Sequence, residues 1–120
     1  MEKGLQETFI WRTLIHLLQG LKTLHENRIV HRDLKAANIF YAKGIAKIGD
    51  LNVSSVSDTA FYSTKTGTPY YTAPEIWKGE KYTNNCDIWS LGCIIYEMCA
   101  LIPPFKAENF PELFVSVSRG

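Results

Sequence analysis

The sequence predicts a mainly α-helical fold in which a polar loop is held on a small β-ribbon. Leucines and isoleucines near the start recur at helical spacing, and a second apolar stretch at residues 88–102 is long enough for another helix. Between them, the polar run "HRDLKAAN" is flanked by apolar runs of strand length. With 120 residues, of which 46% are apolar, we expect one core and one domain over residues 1–120.

The predicted elements begin with a helix over Glu7–Glu26, which Asn27 is expected to end. A turn at Lys43–Gly44 is expected to separate two of the short strands. Those strands would hold the ends of the polar loop. The predicted strands are Ile29–Val30, Ile39–Tyr41 and Ala46–Ile48.

The second half of the chain is predicted to start with a long surface loop over residues 51–71, which are rich in Ser and Thr and lack periodicity. A central helix is predicted over Cys86–Ala100, with Asn84 as its N-cap and Asp87 three positions later. A last helix is predicted over about Phe110–Arg119.

Charge and hydropathy exclude several classes of partner. The net charge is +1, from 13 basic and 12 acidic residues, which gives no general field for nucleic acid or an anionic membrane. Residues 88–102 fall short of the roughly 20 residues needed to span a bilayer, so a buried helix is expected there. We therefore predict neither a nucleic-acid partner nor a membrane association.

The three cysteines, Cys86, Cys93 and Cys99, match neither a zinc spacing nor a paired disulfide framework. We interpret them as buried, reduced thiols, which favours an intracellular, cytoplasmic protein. The opening residues "MEKGLQETF" lack the apolar core of a secretion signal, so no export is expected.

Four motifs occur in a fixed order, namely "HRDLKAAN", "GDLN", "GTPYYTAPE" and "DIWSLGCIIYEM". Together they resemble the C-terminal lobe of a eukaryotic protein kinase, whose signatures include H-R-D-L-x-x-x-N, D-F-G and A-P-E. The runs "GDLNVS" and "TGTPYYTAPEIW" are most similar to the NIMA-related serine/threonine kinases, a group tied to mitosis and cilia. The resemblance implies a partial kinase-like lobe, α+β when complete, in a protein that is intracellular and associated with the cytoskeleton or cilium.

The resemblance implies phosphoryl transfer from ATP to serine or threonine hydroxyls of a protein substrate, with Mg²⁺ as cofactor. Asp33 would be the catalytic base for the substrate hydroxyl. Lys35 would neutralise charge on the transferred phosphate, as in the serine/threonine branch. Asn38 and Asp50 would supply an amide oxygen and a carboxylate to Mg²⁺.

Each of these residues also has a simpler interpretation when it is taken alone. Asp33 beside Arg32 and Lys35 is typical of a solvated salt bridge. Asn38 is typical of a turn, and Asp50 of a surface acid. The joint spacing of the motifs favours the catalytic interpretation.

Regulation is expected in the activation segment over residues 50–75. By resemblance, Arg32 would face a phosphate on this segment through its bidentate fork and would act as a sensor. Thr64 is preferred as the phosphorylated residue because it stands three residues before Gly67. The other candidate sites are Ser63 and Thr66.

Four residues are expected to support the site. Thr68 would bond the base and the loop lysine, and His31 is expected to be structural, packed near Leu51. Asp87 would stand at the third position of its helix and would accept backbone N–H groups from the catalytic loop. Glu75 would pair with an arginine that these residues do not contain.

The chain departs from the family pattern in two ways. Asn52 in "DLN" replaces a glycine, although asparagine tolerates left-handed backbone better than most residues. No G-x-G-x-x-G loop and no V-A-I-K strand occur, so the ATP-covering lobe and the final C-terminal helices are expected to be absent from residues 1–120.

We therefore expect a serine/threonine kinase whose present chain is weakly active or inactive alone. The alternative is a catalytically dead kinase-like module that binds a protein partner. A third interpretation is an incomplete domain that neither binds nor catalyses.

Overall fold

The structure is a computed structural model that describes residues 4–49 and 70–120. The mainly α-helical prediction is confirmed, together with the small two-stranded ribbon. The elements in chain order are helix α1 (Glu7–Glu26), a 3₁₀ turn (Ala36–Asn38), strands β1 (Ile39–Ala42) and β2 (Ile45–Ile48), and helices α2 (Pro74–Trp77), α3 (Asn85–Ala100) and α4 (Phe110–Arg119).

Helix α1 has the predicted bounds, and Asn27 occupies its C-cap position. Its buried residues, Thr13, Leu17 and Leu21, recur every four positions and so form one stripe along the helix. The helix packs against α3 and β2. Helical spacing in the sequence was therefore sufficient to predict this element.

The core lies between α1, α3 and the hairpin. Leu34, which is 1% exposed, is also part of it, although it stands inside the polar loop between Asp33 and Lys35. Burial of this one side chain anchors the loop on the helices. The buried core residues are Leu17, Leu21, Leu34, Ala46, Leu91 and Ile94.

The hairpin pairs β1 and β2 antiparallel, with Ile39 opposite Ile48. Lys43 and Gly44 connect the strands, with φ angles of 52° and 80°. Positive φ at both central residues is the requirement of a type I′ turn, whose twist matches that of paired strands. The predicted strands and turn are confirmed, each strand being one residue longer.

The predicted strand Ile29–Val30 is wrong, because these residues pair with no strand within the described ranges. Arg28 has a φ of 60° and turns the chain out of α1. The Ile29 N–H then donates to the Leu24 carbonyl at 2.9 Å, which closes the end of the helix. A two-residue apolar run without a partner strand has no ladder to join.

Asn84 stands at the N-cap position of α3, as predicted, but without a capping hydrogen bond. Its backbone is already helical, with φ −61° and ψ −11°. Thr83 lies one residue earlier, and its Oγ1 accepts the Asn85 N–H at 3.2 Å. The helix begins at Asn85, one residue before the predicted start, and ends at Ala100 as predicted.

Helices α2 and α4 pack against each other through aromatic rings. Trp77 lies with its ring centroid 5.9 Å from Phe114 and 6.3 Å from Phe110. The sequence did not predict α2, which begins at Pro74, whereas α4 has the predicted bounds. Residues 51–69 of the predicted surface loop lie outside the described residues.

The cysteines are free, but one of them departs from the prediction. Cys86 and Cys93 are buried, whereas Cys99 is exposed near the end of α3. Burial raises the pKa of Cys86 to about 12, with the Asp87 carboxylate adding to the effect. Burial likewise raises the pKa of Cys93 to about 11.

Within the described ranges, none of the helices combines the length and hydropathy needed to span a bilayer.

Replacing Leu17 by alanine is expected to lower the free energy of unfolding by about 3 kcal/mol, because it opens a cavity at a fully buried core position. Urea denaturation measures the change. Its matched control is Leu18→Ala on the same helix, where the leucine is 42% exposed and a loss of about 0.5 kcal/mol or less is expected. Equal losses in the two variants would contradict the described core.

Alkylation at pH 8 is expected to modify Cys99 first in the folded chain. Cys86 and Cys93 are buried, and their raised pKa values keep them as thiols, which are poor nucleophiles. Mass spectrometry after brief iodoacetamide treatment should find one adduct, and three after unfolding in guanidinium. Rapid labelling of Cys93 in the folded chain would count against this packing.

Candidate active site

The loop between α1 and β1 carries three of the predicted catalytic residues. Asp33 and Lys35 lie on either side of the buried Leu34, and the Lys35 ammonium Nζ is 3.6 Å from Asp33 Oδ2. Each of the two side chains is only 21% exposed, so the pair is less solvated than an ordinary surface ion pair. The loop therefore presents a carboxylate and an ammonium group close together.

Four hydrogen bonds form a closed circuit around the loop, which we call the loop circuit. The Asp33 N–H donates to His31 Nδ1 at 3.1 Å, and His31 Nε2 lies 3.0 Å from the Gly49 carbonyl. The Gly49 N–H donates to the Asn38 carbonyl at 2.8 Å. The Asn38 amide Nδ2 closes the circuit by donating to the Asp33 carbonyl at 2.8 Å.

The loop circuit fixes the tautomer of His31, which is fully buried. Because Nδ1 accepts the Asp33 N–H, the ring proton resides on Nε2 and is donated to the Gly49 carbonyl. His31 thus connects the catalytic loop to the end of the hairpin. Its predicted neighbour Leu51 lies outside the described residues.

Asn38 ends the 3₁₀ turn and is buried. Its N–H donates to the Lys35 carbonyl at 2.9 Å, and its Nδ2 is committed to Asp33. Within the part of the chain that the structure describes, its carbonyl oxygen Oδ1 accepts no hydrogen bond. This oxygen is the atom available for a further ligand.

Asp87 holds the catalytic loop onto α3. It is fully buried in the first turn of the helix, where the N-terminal end favours negative charge. Its Oδ2 accepts the backbone N–H of His31 at 2.9 Å, and its Oδ1 accepts that of Arg32 at 2.9 Å. Hydrogen bonds to a buried carboxylate are stronger than those between neutral groups.

Arg32 is buried and has a φ of 70°, a left-handed conformation that costs a non-glycine residue roughly 1 kcal/mol. The bond from its N–H to Asp87 holds the backbone in this state. Its guanidinium Nη1 donates to the Tyr82 hydroxyl at 2.5 Å, and the guanidinium carbon lies 5.6 Å from the centre of that ring. Tyr82 therefore braces the predicted phosphate sensor.

The last part of the activation segment is anchored on α3 through Tyr71. The Tyr71 hydroxyl donates to the Glu97 carboxylate, at 2.8 Å from Oε2 and 3.0 Å from Oε1, and Ser90 Oγ donates to the Tyr71 carbonyl at 2.7 Å. Burial, reinforced by the bond to Glu97, raises the pKa of Tyr71 above its ordinary value.

Glu75 lies in α2 beside a groove of about 480 Å³ against α3, which Trp89 and Phe105 also line. Its carboxylate forms no ion pair or hydrogen bond with another described residue. Its predicted arginine partner therefore stays a prediction.

Sequence reasoning missed His25, Tyr82 and Glu97. Each contacts a motif residue that is far away in the chain, and none stands at a spacing that signals the contact. Asp50, Thr64 and Thr68 lie outside the described residues, so their convergence with Asp33 stays a prediction. Among residues 4–49 and 70–120, no group of three or more His, Cys, Asp or Glu side chains could hold a metal ion.

Comparison with known proteins defines the class to which this loop belongs. Residues 1–119 match the protein kinase domain family. The chain is 42% identical to mouse serine/threonine-protein kinase Nek3 over 117 residues, which is 95% of this chain and 23% of that protein. It is 42% identical to human Nek5 over 110 residues, covering 88% of this chain and 16% of that protein. It is 41% identical to human Nek2 over 124 residues, covering 97% of this chain and 28% of that protein.

The chain therefore belongs to the protein kinase domain family. The similarity to Nek2, Nek3 and Nek5 confirms the predicted resemblance to NIMA-related serine/threonine kinases. The chain spans less than a third of the length of these curated relatives.

Replacing Asp87 by asparagine is expected to lower the free energy of unfolding by about 2–4 kcal/mol, because an amide nitrogen would face a backbone N–H and a charged acceptor would be lost. Urea denaturation measures this change in the free energy of unfolding. The control is Glu26→Gln, which removes an exposed carboxylate 4.0 Å from Lys22 and should cost about 0.5 kcal/mol or less. A loss at Asp87 no larger than at Glu26 would show that the loop does not depend on this carboxylate.

Proposed function

We propose that the chain supplies the catalytic loop of a protein serine/threonine kinase, which transfers the γ-phosphate of ATP to serine or threonine hydroxyls of protein substrates. The observation that carries the proposal is the loop circuit, since it fixes the backbone on both sides of the Asp33–Lys35 pair. Phosphoryl transfer depends mostly on positioning and on electrostatic stabilisation, and a loop held in this way suits both.

Asp33 is the proposed catalytic base. Its backbone N–H and carbonyl are both bonded within the loop circuit, so the carboxylate is carried on a fixed backbone. It would accept the proton of the substrate hydroxyl and orient the oxygen for in-line attack. Lys35, whose Nζ is 3.6 Å from Asp33, would stabilise the negative charge that develops on the phosphoryl oxygens.

The donor set supports a magnesium–ATP site. The bond from Asn38 Nδ2 to the Asp33 carbonyl fixes the amide, and its Oδ1 accepts no hydrogen bond from another described residue. Amide oxygens are suitable ligands for the hard cation Mg²⁺. Asp50 follows Gly49 in the sequence and would add a carboxylate. When bound, Mg²⁺ would neutralise charge on the phosphate oxygens. Asn38 and Asp50 are thus the proposed metal ligands, and Lys35 the further contact to ATP phosphate.

Regulation would act through Arg32 and Thr64. The Arg32 guanidinium is held by its contacts with Tyr82. Because the side chain is already ordered, it would lose less conformational entropy when it binds a phosphate. Thr64 is the proposed phosphorylated residue, and Thr68 would order the substrate site. His31 and Asp87 are proposed to support the loop. Glu75 is proposed to support the activation segment.

Residues 1–120 are proposed to be one part of a kinase domain, with the ATP-covering half supplied by other residues of a longer protein. The length of the curated relatives and the absence of a glycine-rich loop in this sequence support this division. A cytoplasmic location, with association with the cytoskeleton or cilium, is proposed from the free thiols and the relatives.

Asp33→Asn is expected to lower phosphoryl transfer at least about 100-fold, since a general base contributes 10²–10⁴-fold. The chain would be fused to the ATP-covering half of a NIMA-related kinase, and transfer of radiolabelled phosphate from ATP to a serine- and threonine-containing protein would be measured with and without Mg²⁺.

The matched control is Glu112→Gln, which neutralises an exposed acid on α4 and should leave transfer unchanged. The proposal fails if the unmodified fusion, folded and able to bind ATP, transfers no more phosphate than its Asp33→Asn variant.

A further inference from the structure

We propose that two copies of this chain associate through the side of α1 that points away from the core, with the two helices antiparallel. This surface, which we call the outer face, is formed by Trp11, Ile15 and Leu18. The inference does not depend on the proposed phosphoryl transfer, since it concerns the surface of one helix.

Helix α1 has apolar side chains on two opposite sides. Leu17 and Leu21 are buried in the core. Trp11, Ile15 and Leu18 stand at positions i, i+4 and i+7, which share the side of the helix opposite those leucines. They are 57%, 50% and 42% exposed. A surface helix normally has polar residues opposite its buried stripe, so this second stripe indicates a binding surface.

The apolar surface continues from the outer face into a neighbouring groove. Trp11 lines a cavity of about 400 Å³ between α1 and α3, together with Leu14 and Ile95. A side chain that packs against Trp11 from outside can therefore also contact the edge of this groove. The outer face thus offers more apolar contact than three separate side chains would.

The charges at the two ends of the outer face indicate which partner fits. Glu7 precedes Trp11 by four residues, and Lys22 follows Leu18 by four residues. When Trp11 of one copy lies opposite Leu18 of an antiparallel second copy, this spacing places each Glu7 opposite the partner's Lys22. The two Ile15 side chains then meet near the two-fold axis. The outer face is therefore complementary to itself in both shape and charge.

Both charged side chains are positioned for this contact. Glu7 and Lys22 are exposed, and Glu7 Oε1 accepts the Trp11 indole N–H at 3.3 Å, which holds the carboxylate beside the stripe. The Lys22 ammonium Nζ is 4.0 Å from Glu26 Oε1, an exposed ion pair too weak to prevent a new contact. Parallel helices would instead place like charges opposite each other, which disfavours that arrangement.

The antiparallel arrangement leaves both proposed catalytic loops accessible. Each loop follows the C-terminal end of α1, so the two loops lie at opposite ends of the paired helices. Helix α1 has 20 residues, and a helix of this length spans about 30 Å. Neither copy would therefore cover the loop of the other.

Charge exchange tests the proposal by sedimentation equilibrium of the 120-residue chain at low salt, where exposed charges are least screened. The unmodified chain is expected to form dimers. Glu7→Lys and Lys22→Glu should each weaken self-association about tenfold, because each variant places two like-charged pairs in the interface. An equimolar mixture of the two variants should recover the association, since both pairs are of opposite charge in the mixed dimer.

The matched controls are Glu112→Lys and Arg119→Glu on α4. They change the net charge by the same amounts at exposed positions outside the outer face, and each should associate like the unmodified chain. If Glu112→Lys weakens association as much as Glu7→Lys, net charge explains the effect and the proposal is overturned.

Disulfide cross-linking tests the antiparallel register in a chain whose exposed Cys99 is replaced by serine. Ile15→Cys should cross-link on mild oxidation, because the two copies of this residue meet near the two-fold axis. Leu18→Cys should not, since the two copies would be separated by seven residues, about 10 Å along the helices, and a disulfide needs Cα atoms within about 7 Å. Efficient cross-linking of Leu18→Cys would indicate parallel helices and overturn the proposal.

Two further results would contradict a second copy as the occupant. One is an unmodified chain that stays monomeric up to about 1 mM, which would assign the outer face to another segment of a longer protein or to a different partner. The other is a mixture of Glu7→Lys and Lys22→Glu that associates no more strongly than either variant alone.

Discussion

The described structure depends on a single buried carboxylate. Asp87 accepts the backbone N–H groups of His31 and Arg32, and thereby joins the catalytic loop to the first turn of the central helix. This attachment fixes the backbone where the chain enters the loop circuit, at His31. This interaction thus helps to set where the side chains proposed for catalysis lie, and it has a cost, since Arg32 is held in a left-handed backbone state.

Two kinds of force act on the loop, and they have different roles. Leu34 is buried among residues of α1 and α3, and this apolar burial helps to keep the loop on the domain. Hydrogen bonds then select one conformation of the anchored segment, since apolar burial has no directional preference. Anchoring by a leucine and orientation by polar bonds together allow Asp33 and Lys35 to remain partly exposed and 3.6 Å apart.

The sequence predicts the elements whose signals are local. Helices α1 and α4 have their predicted bounds because one apolar stripe and a change of composition define each of them. Prediction fails where the outcome depends on a neighbour in space. Within the described residues Ile29–Val30 lacks a partner strand, and the Asn84 side chain makes no capping bond although it stands at the N-cap of α3. Cys99 is exposed on a helix that otherwise buries its cysteines. The motifs predict Asp33, Lys35 and Asn38 as site residues, which stays a prediction. The contact of His25 with Asp87 joins positions 62 residues apart and leaves no trace in sequence spacing.

Leu34 and its two polar neighbours have different roles, and this division has an evolutionary consequence. The residue that holds the loop in place is not one of the residues proposed to perform chemistry, so natural variation at Asp33 or Lys35 could abolish phosphoryl transfer and still leave the architecture intact. Inactive descendants of such a domain would keep their shape and surface, and so could be recruited as scaffolds. Divergence at Leu34 to a small residue would have the opposite result, since it would open a cavity in the core and weaken the attachment of the loop to the helices.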